Sequence, residues 1–244
     1  MVNNKSPGDK AIDALLYLFM TVLALGTLYP FWTQVVISLD GAGAGGTAYQ
    51  SGLILFPKML TFESYRLAFR FEALWQGYAN TIVRTALGVL LSVFFTSLTA
   101  YPLSKQDLPM NRWFTAVILF TMLFSGGLIP GYLLIRELGL FNTVWALVLP
   151  GMVSAFNVLV MRNFFRSLPE ELEESARVDG AGYARIYARI VLPLSKPVLS
   201  TIALWVGVGH WNAWFDSMIY IQDPDKQVLQ VVLRRIIIQN NMND

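Results

Sequence analysis

Ala14–Leu39, ALLYLFMTVLALGTLYPFWTQVVISL, runs for 26 residues without one charged side chain. A helix rises 1.5 Å per residue, so about 20 apolar residues cross a hydrocarbon layer of ~30 Å. The stretch therefore reads as a membrane-spanning helix. Four blocks of similar character follow, at Tyr78–Leu103, Trp113–Ile135, Phe141–Phe165 and Val198–Ile221. Backbone polar groups inside lipid must be satisfied within their own segment, which predicts a helix for each block. No ten-residue alternating pattern of the β-barrel kind is present. The expected fold class is all-α, a polytopic transmembrane helix bundle forming a single domain over residues 1–244.

Composition points the same way. Of 244 residues, 55% are hydrophobic and 14% charged, against about 25% charged in soluble domains. The net charge of +2 gives no reason to expect nucleic acid. The absence of cysteine excludes disulfides, thiolate metal sites and cysteine nucleophiles, and a single histidine, His210, excludes a histidine metal cluster within one chain. Lys5 and Lys10 precede the first block in the manner of a signal peptide. That block is longer than the 7–15 residues of a signal core, so a retained first span is expected.

Placing the N-terminus inside puts the short, basic stretch Arg162–Lys196 on the cytoplasmic side, as the positive-inside rule asks. The outer loops are then 40–77 and 222–244. The first opens on a glycine-rich linker, Asp40–Thr47, and continues with Phe62, Tyr65, Leu67, Ala68 and Phe69, a short amphipathic helix suited to the membrane surface. The second contains Val228–Ile238, apolar but too short to span and interrupted by Arg234-Arg235. Pro30, Pro130 with Gly126-Gly127, and Pro150-Gly151 fall in three of the five blocks and predict bent helices.

The loop 166–196 carries the most information. Ser167-Leu-Pro-Glu170 fits a capping box, with Pro169 in the first turn. Glu170, Glu171, Glu173 and Glu174 then complement the positive end of a helix running from Leu168 to Val178. Asp179-Gly180 interrupts that helix. A second helix follows, with Tyr183, Ile186, Tyr187 and Ile190 at i, i+3, i+4 and i+7 making one apolar stripe, and Leu192-Pro193 closes it. The product is a stiff, charged helix–turn–helix arm at the cytoplasmic mouth of the bundle.

Glu174-Ser175-Ala176, three residues, Gly180, nine residues, then Ile190-Val191-Leu192-Pro193 resembles the coupling signature of permeases of binding-protein-dependent ABC importers. The family motif reads Glu-Ala-Ala, three residues, Gly, nine residues, Ile, any residue, Leu-Pro. Ser175 is the one departure, a small residue for a small residue, and Asp179-Gly180-Ala181 matches the common form. Phe156-Asn157 through Met161-Arg162-Asn163-Phe164-Phe165 is similar to the approach to this loop in carbohydrate permeases, as is Trp211-Asn212 in the last block. Phe124–Pro130, Leu138–Leu140 and Trp145–Pro150 look like a subgroup handling complex oligosaccharides, uronate-containing ones such as alginate fragments among them. The resemblance covers roughly residues 12–240. Members of the family usually carry a sixth span and a short tail, which this sequence does not include.

The resemblance implies a type I ABC importer permease fold in a bacterial inner membrane, and a pore subunit that is not an enzyme. It implies that Glu174 pairs with a basic residue of a separate ATPase dimer while Gly180 lets the chain turn. It also implies a second permease subunit, commonly a different chain, and an extracytoplasmic solute-binding protein. No G-x-x-x-x-G-K-[ST] phosphate loop occurs, so ATP–Mg is expected on the ATPase and no cofactor on this chain.

Polar groups inside spans mark a candidate substrate path: Asn157, His210, Asn212 and Asp216, with Asn212 and Asp216 one turn apart on one helix face and Trp211 beside them. Trp205, Trp211 and Trp214 could stack on sugar rings or anchor the interface. Arg84 and Arg162, near span ends, are expected to snorkel. Other readings are a permease for amino acids, phosphate or metal ions, a channel, and an intramembrane enzyme. The enzyme lacks the paired carboxylates, Ser/His pair or metal cluster it would need.

Overall fold

A computed structural model describes residues 7–41 and 54–243, with side chains described to residue 238. Among them no strand forms, and helices account for most of the chain. The chain divides into two compact units, residues 1–72 and 73–244.

In the first unit, α1 (Pro7–Ser38) is long and apolar enough to cross a membrane, and none of its central apolar stretch is buried. Its end is clasped locally. The buried Asp40 carboxylate accepts from the backbone N–H groups of Lys58 (2.7 Å) and Met59 (3.0 Å), and Asp40 pairs with Leu60 in an isolated antiparallel bridge. The expected surface helix is present as α2 (Glu63–Arg70), with Phe62, Tyr65, Leu67 and Phe69 all exposed. Most of the glycine-rich linker lies outside the described residues.

The second unit is built on α3 (Glu72–Ser104), the other helix long and apolar enough to span. Its buried face carries Gly77, Thr81, Arg84, Gly88, Ser92 and Thr96, spaced by three or four residues, while Ile82, Leu90, Phe94 and Leu98 are exposed. Small and polar residues inside with apolar residues outside is the reverse of a soluble helix, and it is the arrangement that lets helices approach closely in lipid. Block 113–135 is two helices rather than one, α4 (Asn111–Leu123) and α5 (Leu128–Glu137), meeting at 109° across Ser125-Gly126-Gly127. Gly127 sits there at φ +86°, where a Cβ would be strained.

Block 141–165 also departs from a single helix: α6 (Trp145–Val148) is followed by a turn through Pro150-Gly151 and then α7 (Ala155–Arg166). Beyond it come α8 (Glu170–Val178) and a continuous helical run Tyr183–Leu194, composed of α9 (Tyr183–Ile186), a π-helical turn (Tyr187–Val191) and α10 (Leu192–Leu194). The run bends by 77° into α11 (Lys196–Asn212). The last block ends in a break at Ala213-Trp214, followed by α12 (Phe215–Tyr220).

Segment 222–244, expected as a loop, contains α13 (Leu229–Asn243). Val228, Leu229, Val231 and Val232 are buried, and the Leu229 N–H donates to Thr81 Oγ1 at 2.9 Å. A stretch of eleven residues, eight of them apolar, is too short to span but long enough to pack on α3, where Gly77 leaves room: a Cβ there would lie 3.0 Å from the Leu229 backbone. The main core joins Ala100, Tyr101 and Leu103 of α3 to Val158, Met161 and Phe165 of α7, and to Ile186, Val191, Val198 and Ile202. The arm thus grows out of the same packed layer as the helices that carry it.

Candidate functional site: a projecting arm and an open polar cavity

The arm starts later than the sequence predicts. Ser167 stays on the end of α7, donating its hydroxyl to the Phe164 carbonyl (2.7 Å), and α8 begins at Glu170 behind Pro169 with no side-chain cap. The capping box is therefore not formed. Three glutamates in the first turn still face the positive helix end.

The turn forms as a Schellman closure. The Ala181 N–H donates to the Ala176 carbonyl and the Gly180 N–H to the Arg177 carbonyl, both at 2.9 Å, with Gly180 at φ +79°. Ala176 and Ala181, the hydrophobic partners of that motif, both pack against the main core. This gives the small residues of the signature a physical reason, since larger side chains would lift the turn off the bundle. Ser175, Asp179 and Gly180 are exposed on the outer surface.

The two central glutamates of α8 divide their roles. Glu173 is only 8% exposed, paired with Lys105 and accepting from the Tyr101 hydroxyl at 3.3 Å. Lys105 also lies over the Tyr101 ring, 4.7 Å from its centroid. Glu174 is exposed, with no partner among the described residues. Between arm and bundle lies a cleft of about 320 Å³, walled by Ser104, Lys105 and Asp107 on one side and Glu170, Glu174 and Arg177 on the other. Val178, an apolar side chain at the tip, is 88% exposed.

On the second helix, Arg177 reaches over the Tyr183 ring (4.9 Å) and the Tyr187 hydroxyl bonds Ser97 (2.7 Å). Ile186 is buried, Tyr187 and Ile190 pack on the core beside it, and Tyr183 faces out, so three of the four stripe residues face inward. Leu192 is half-buried and Pro193 exposed ahead of the 77° bend. The signature residues thus form one unit, with Ala176, Ala181 and the apolar side of the second helix held against the bundle and Glu174, Ser175, Asp179 and Gly180 exposed.

A second polar constellation lines a cavity that opens at the surface between α3, α7, α11 and α12. The cavity, of about 310 Å³, is lined by Arg84, Ser92, Ser154, Asn157, His210 and Asp216 among others. Arg84, expected to snorkel, is instead 2% exposed and pairs with Asp216. Its guanidinium also donates to the Ala213 carbonyl (3.0 Å) and to His210 Nδ1 (3.4 Å). Ala213 caps α11, so its carbonyl has no intrahelical donor, and Arg84 supplies one. Donation to Nδ1 requires a lone pair there, which places the imidazole proton on Nε2. Gly88 makes room for that ring: a Cβ on it would lie 2.3 Å from His210 Nε2.

The cavity gathers Asn157, His210 and Asp216 from the expected path, and leaves out Trp211 and Asn212. Asn212 turns its amide back to the Val208 carbonyl (3.0 Å), and the helix break at Ala213-Trp214 removes the shared face with Asp216. Trp211 packs beside Tyr78, with ring centroids 6.4 Å apart. Arg162 is half-buried and held by two acceptors. It donates to the Leu103 carbonyl (2.9 Å) and to Asn111 Oδ1 (3.3 Å). Sequence reasoning missed Arg84, Ser92 and Ser154 in the cavity, and Lys105 and Tyr101 behind the arm. For Arg84 a signal was present: a basic residue six positions into an apolar block, on the same face as Gly88 and Ser92.

Residues 2–215 match the family described as binding-protein-dependent transport system inner membrane component. The chain is 37% identical over 242 residues to protein LplC of Bacillus subtilis, covering 99% of this chain and 80% of that one. It is 36% identical over 230 residues to the polygalacturonan/rhamnogalacturonan transport system permease protein YtcP of the same organism, covering 94% and 79%. Its fold is similar to a chain in a crystal structure of a bacterial ABC transporter involved in the import of the acidic polysaccharide alginate. That likeness has a TM-score of 0.89 and 34% identity, and covers 96% of this chain and 83% of the other.

Proposed function

We propose, from the premise that this chain belongs to the family of binding-protein-dependent transport system inner membrane components, that it is a permease subunit importing sugars and oligosaccharides at the expense of ATP hydrolysed elsewhere. One observation carries the reading: the arm holds Glu173 inside the bundle and presents Glu174 outside it, on a turn locked at Gly180. An exposed carboxylate on a rigid, core-anchored arm is suited to receive a cation and to transmit its movement. A channel or a lipid-surface helix has no use for that division.

The chain is multi-pass in a bacterial inner membrane, with the arm in the cytoplasm. It works with an ATPase dimer that binds ATP–Mg, a second permease subunit and an extracytoplasmic solute-binding protein, and holds no cofactor itself. Transport proceeds by alternating access, with the broken helices repacking around the polar cavity. The cavity supports a sugar. Its one cation and one carboxylate, Arg84 and Asp216, neutralise each other, while Ser92, Ser154, Asn157 and His210 offer the donors and acceptors that hydroxyl groups need. Among sugars, uronate-containing oligosaccharides are favoured by the names of the alginate importer and of YtcP.

The test is uptake by proteoliposomes holding the full complex with its solute-binding protein, offered labelled oligogalacturonates, neutral oligosaccharides, amino acids and phosphate. Saturable, ATP-dependent uptake of an oligosaccharide is expected. Uptake of an amino acid or phosphate alone would overturn the sugar assignment, and uptake without ATP would overturn the permease.

A further inference from the structure

Beside the arm, a cleft of about 500 Å³ opens between the start of α4 and the end of α7. Its polar wall is Arg112, Arg162, Arg166, Gln106, Asn111 and Thr115, and among the described residues no carboxylate lines it. Two of the guanidinia are held in place by neutral acceptors. Arg162 donates to the Leu103 carbonyl (2.9 Å), and Arg166 donates to the same oxygen (3.4 Å) and to the Ser104 carbonyl (3.2 Å). Arg162 and Arg166 are four residues apart on α7, so like charges are stacked on one helix face, an arrangement that is destabilising when nothing compensates it.

Among the described residues none of the three arginines forms a salt bridge. Arg166 also borders the arm's own cleft, where Glu173 is committed to Lys105 and Asp107, Glu170 and Glu174 form no salt bridge with Arg166. Helix α4 adds to the positive potential, because it begins with no acidic residue in its first turn and no side-chain cap. Leu119 lies two turns further along α4 and continues the cleft as an apolar wall.

We propose that this cleft binds a phosphate group carried by an anionic phospholipid, with Arg112, Arg162 and Arg166 on the headgroup and Leu119 along the acyl chain. The placement rests on the reading of the arm as cytoplasmic, which puts the cleft at the inner-leaflet boundary, where basic pockets between spanning helices take anionic headgroups. The prearranged pair on α7 supplies the fixed part of the site and Arg112 the part free to close on the lipid.

The experiment is native mass spectrometry of the complete transporter in mixed phosphatidylcholine and phosphatidylglycerol, without substrate or ATP. One phosphatidylglycerol should be retained per copy of this chain. Retention should weaken at least about fivefold in Arg112→Gln, and again in Arg112→Gln/Arg166→Gln. Arg112 is exposed and forms no salt bridge among the described residues, so its variant separates binding from folding. A parallel arm adds inorganic phosphate alone. Displacement of the lipid at low millimolar phosphate would assign the site to the free anion and overturn the lipid. Equal retention of phosphatidylcholine, or variants that retain phosphatidylglycerol as the wild type does, would overturn the site itself. Lipid counting needs no transport, so failure of the permease reading leaves this result standing, and the converse also holds.

Discussion

Glu173 and Glu174 are neighbours on α8 with different surroundings, the first buried and paired with Lys105 within the bundle and the second exposed at the rim of the cleft between arm and bundle. Adjacent helical residues are about 100° apart, so this division follows from the helix itself once α8 lies against α3. It separates fastening from engagement, and the two functions can be removed one at a time.

Glu174→Ala should leave the fold intact and abolish substrate-stimulated ATP hydrolysis in the assembled complex. Loss of one partner of a desolvated charge pair costs about 2–5 kcal/mol at an interface. The measurement is the ratio of stimulated to basal ATPase rate, alongside an unchanged melting temperature for the isolated chain.

Glu173→Gln should act differently, lowering thermal stability as well as coupling, because it strands Lys105 beside the Tyr101 ring. Removing one member of a largely buried pair costs about 3 kcal/mol or more, whereas replacing both by apolar residues can be nearly neutral. Glu173→Leu/Lys105→Met should therefore recover stability relative to Glu173→Gln. A double variant no more stable than the single one would show that the pair does not fasten the arm.

Gly180→Val should destabilise the arm by about 1–2 kcal/mol, since the residue sits at φ +79°. Gly180→Asn should lose less, because asparagine visits that region with a smaller penalty. Hydrogen exchange at Ala181 N–H, the donor that closes the turn, reads the effect directly.

Gly88→Ala should disturb the cavity through His210, whose ring a Cβ would meet at 2.3 Å. Overpacking of this kind costs about 1–3 kcal/mol. His210→Ala should restore the stability lost in Gly88→Ala. Arg84→Met alone should be more damaging than Arg84→Met/Asp216→Leu, by the same argument as for the arm pair.

The arm was legible because its signals are local: the acidic first turn, Gly180, and an apolar stripe within eight residues. The fastening of the arm was not, because Lys105 and Glu173 are 68 positions apart and the acidic run that contains Glu173 does not mark which glutamate turns inward. The cavity was half legible. Asn157, His210 and Asp216 stood out as polar residues in apolar blocks, but Arg84 meets Asp216 across 132 positions, and nothing in either segment announces the other. The breaks at Gly126-Gly127 and Pro150-Gly151 were legible from their breaker residues, whereas α1 runs through Pro30 as one helix. The break at Ala213-Trp214 was not legible, because a carbonyl satisfied by a distant arginine is a tertiary fact. The helix at Leu229–Asn243 was overlooked because its length was judged against a bilayer rather than against the face of α3.

The chain contains no cysteine, so one introduced at the exposed Val178 position would be its only thiol. In inverted membrane vesicles holding the full complex, Val178→Cys should react with a membrane-impermeant maleimide and should cross-link to the ATPase subunit, with a yield that changes on adding ATP. A thiol labelled only in right-side-out vesicles, or one that never cross-links to the ATPase, would contradict the account.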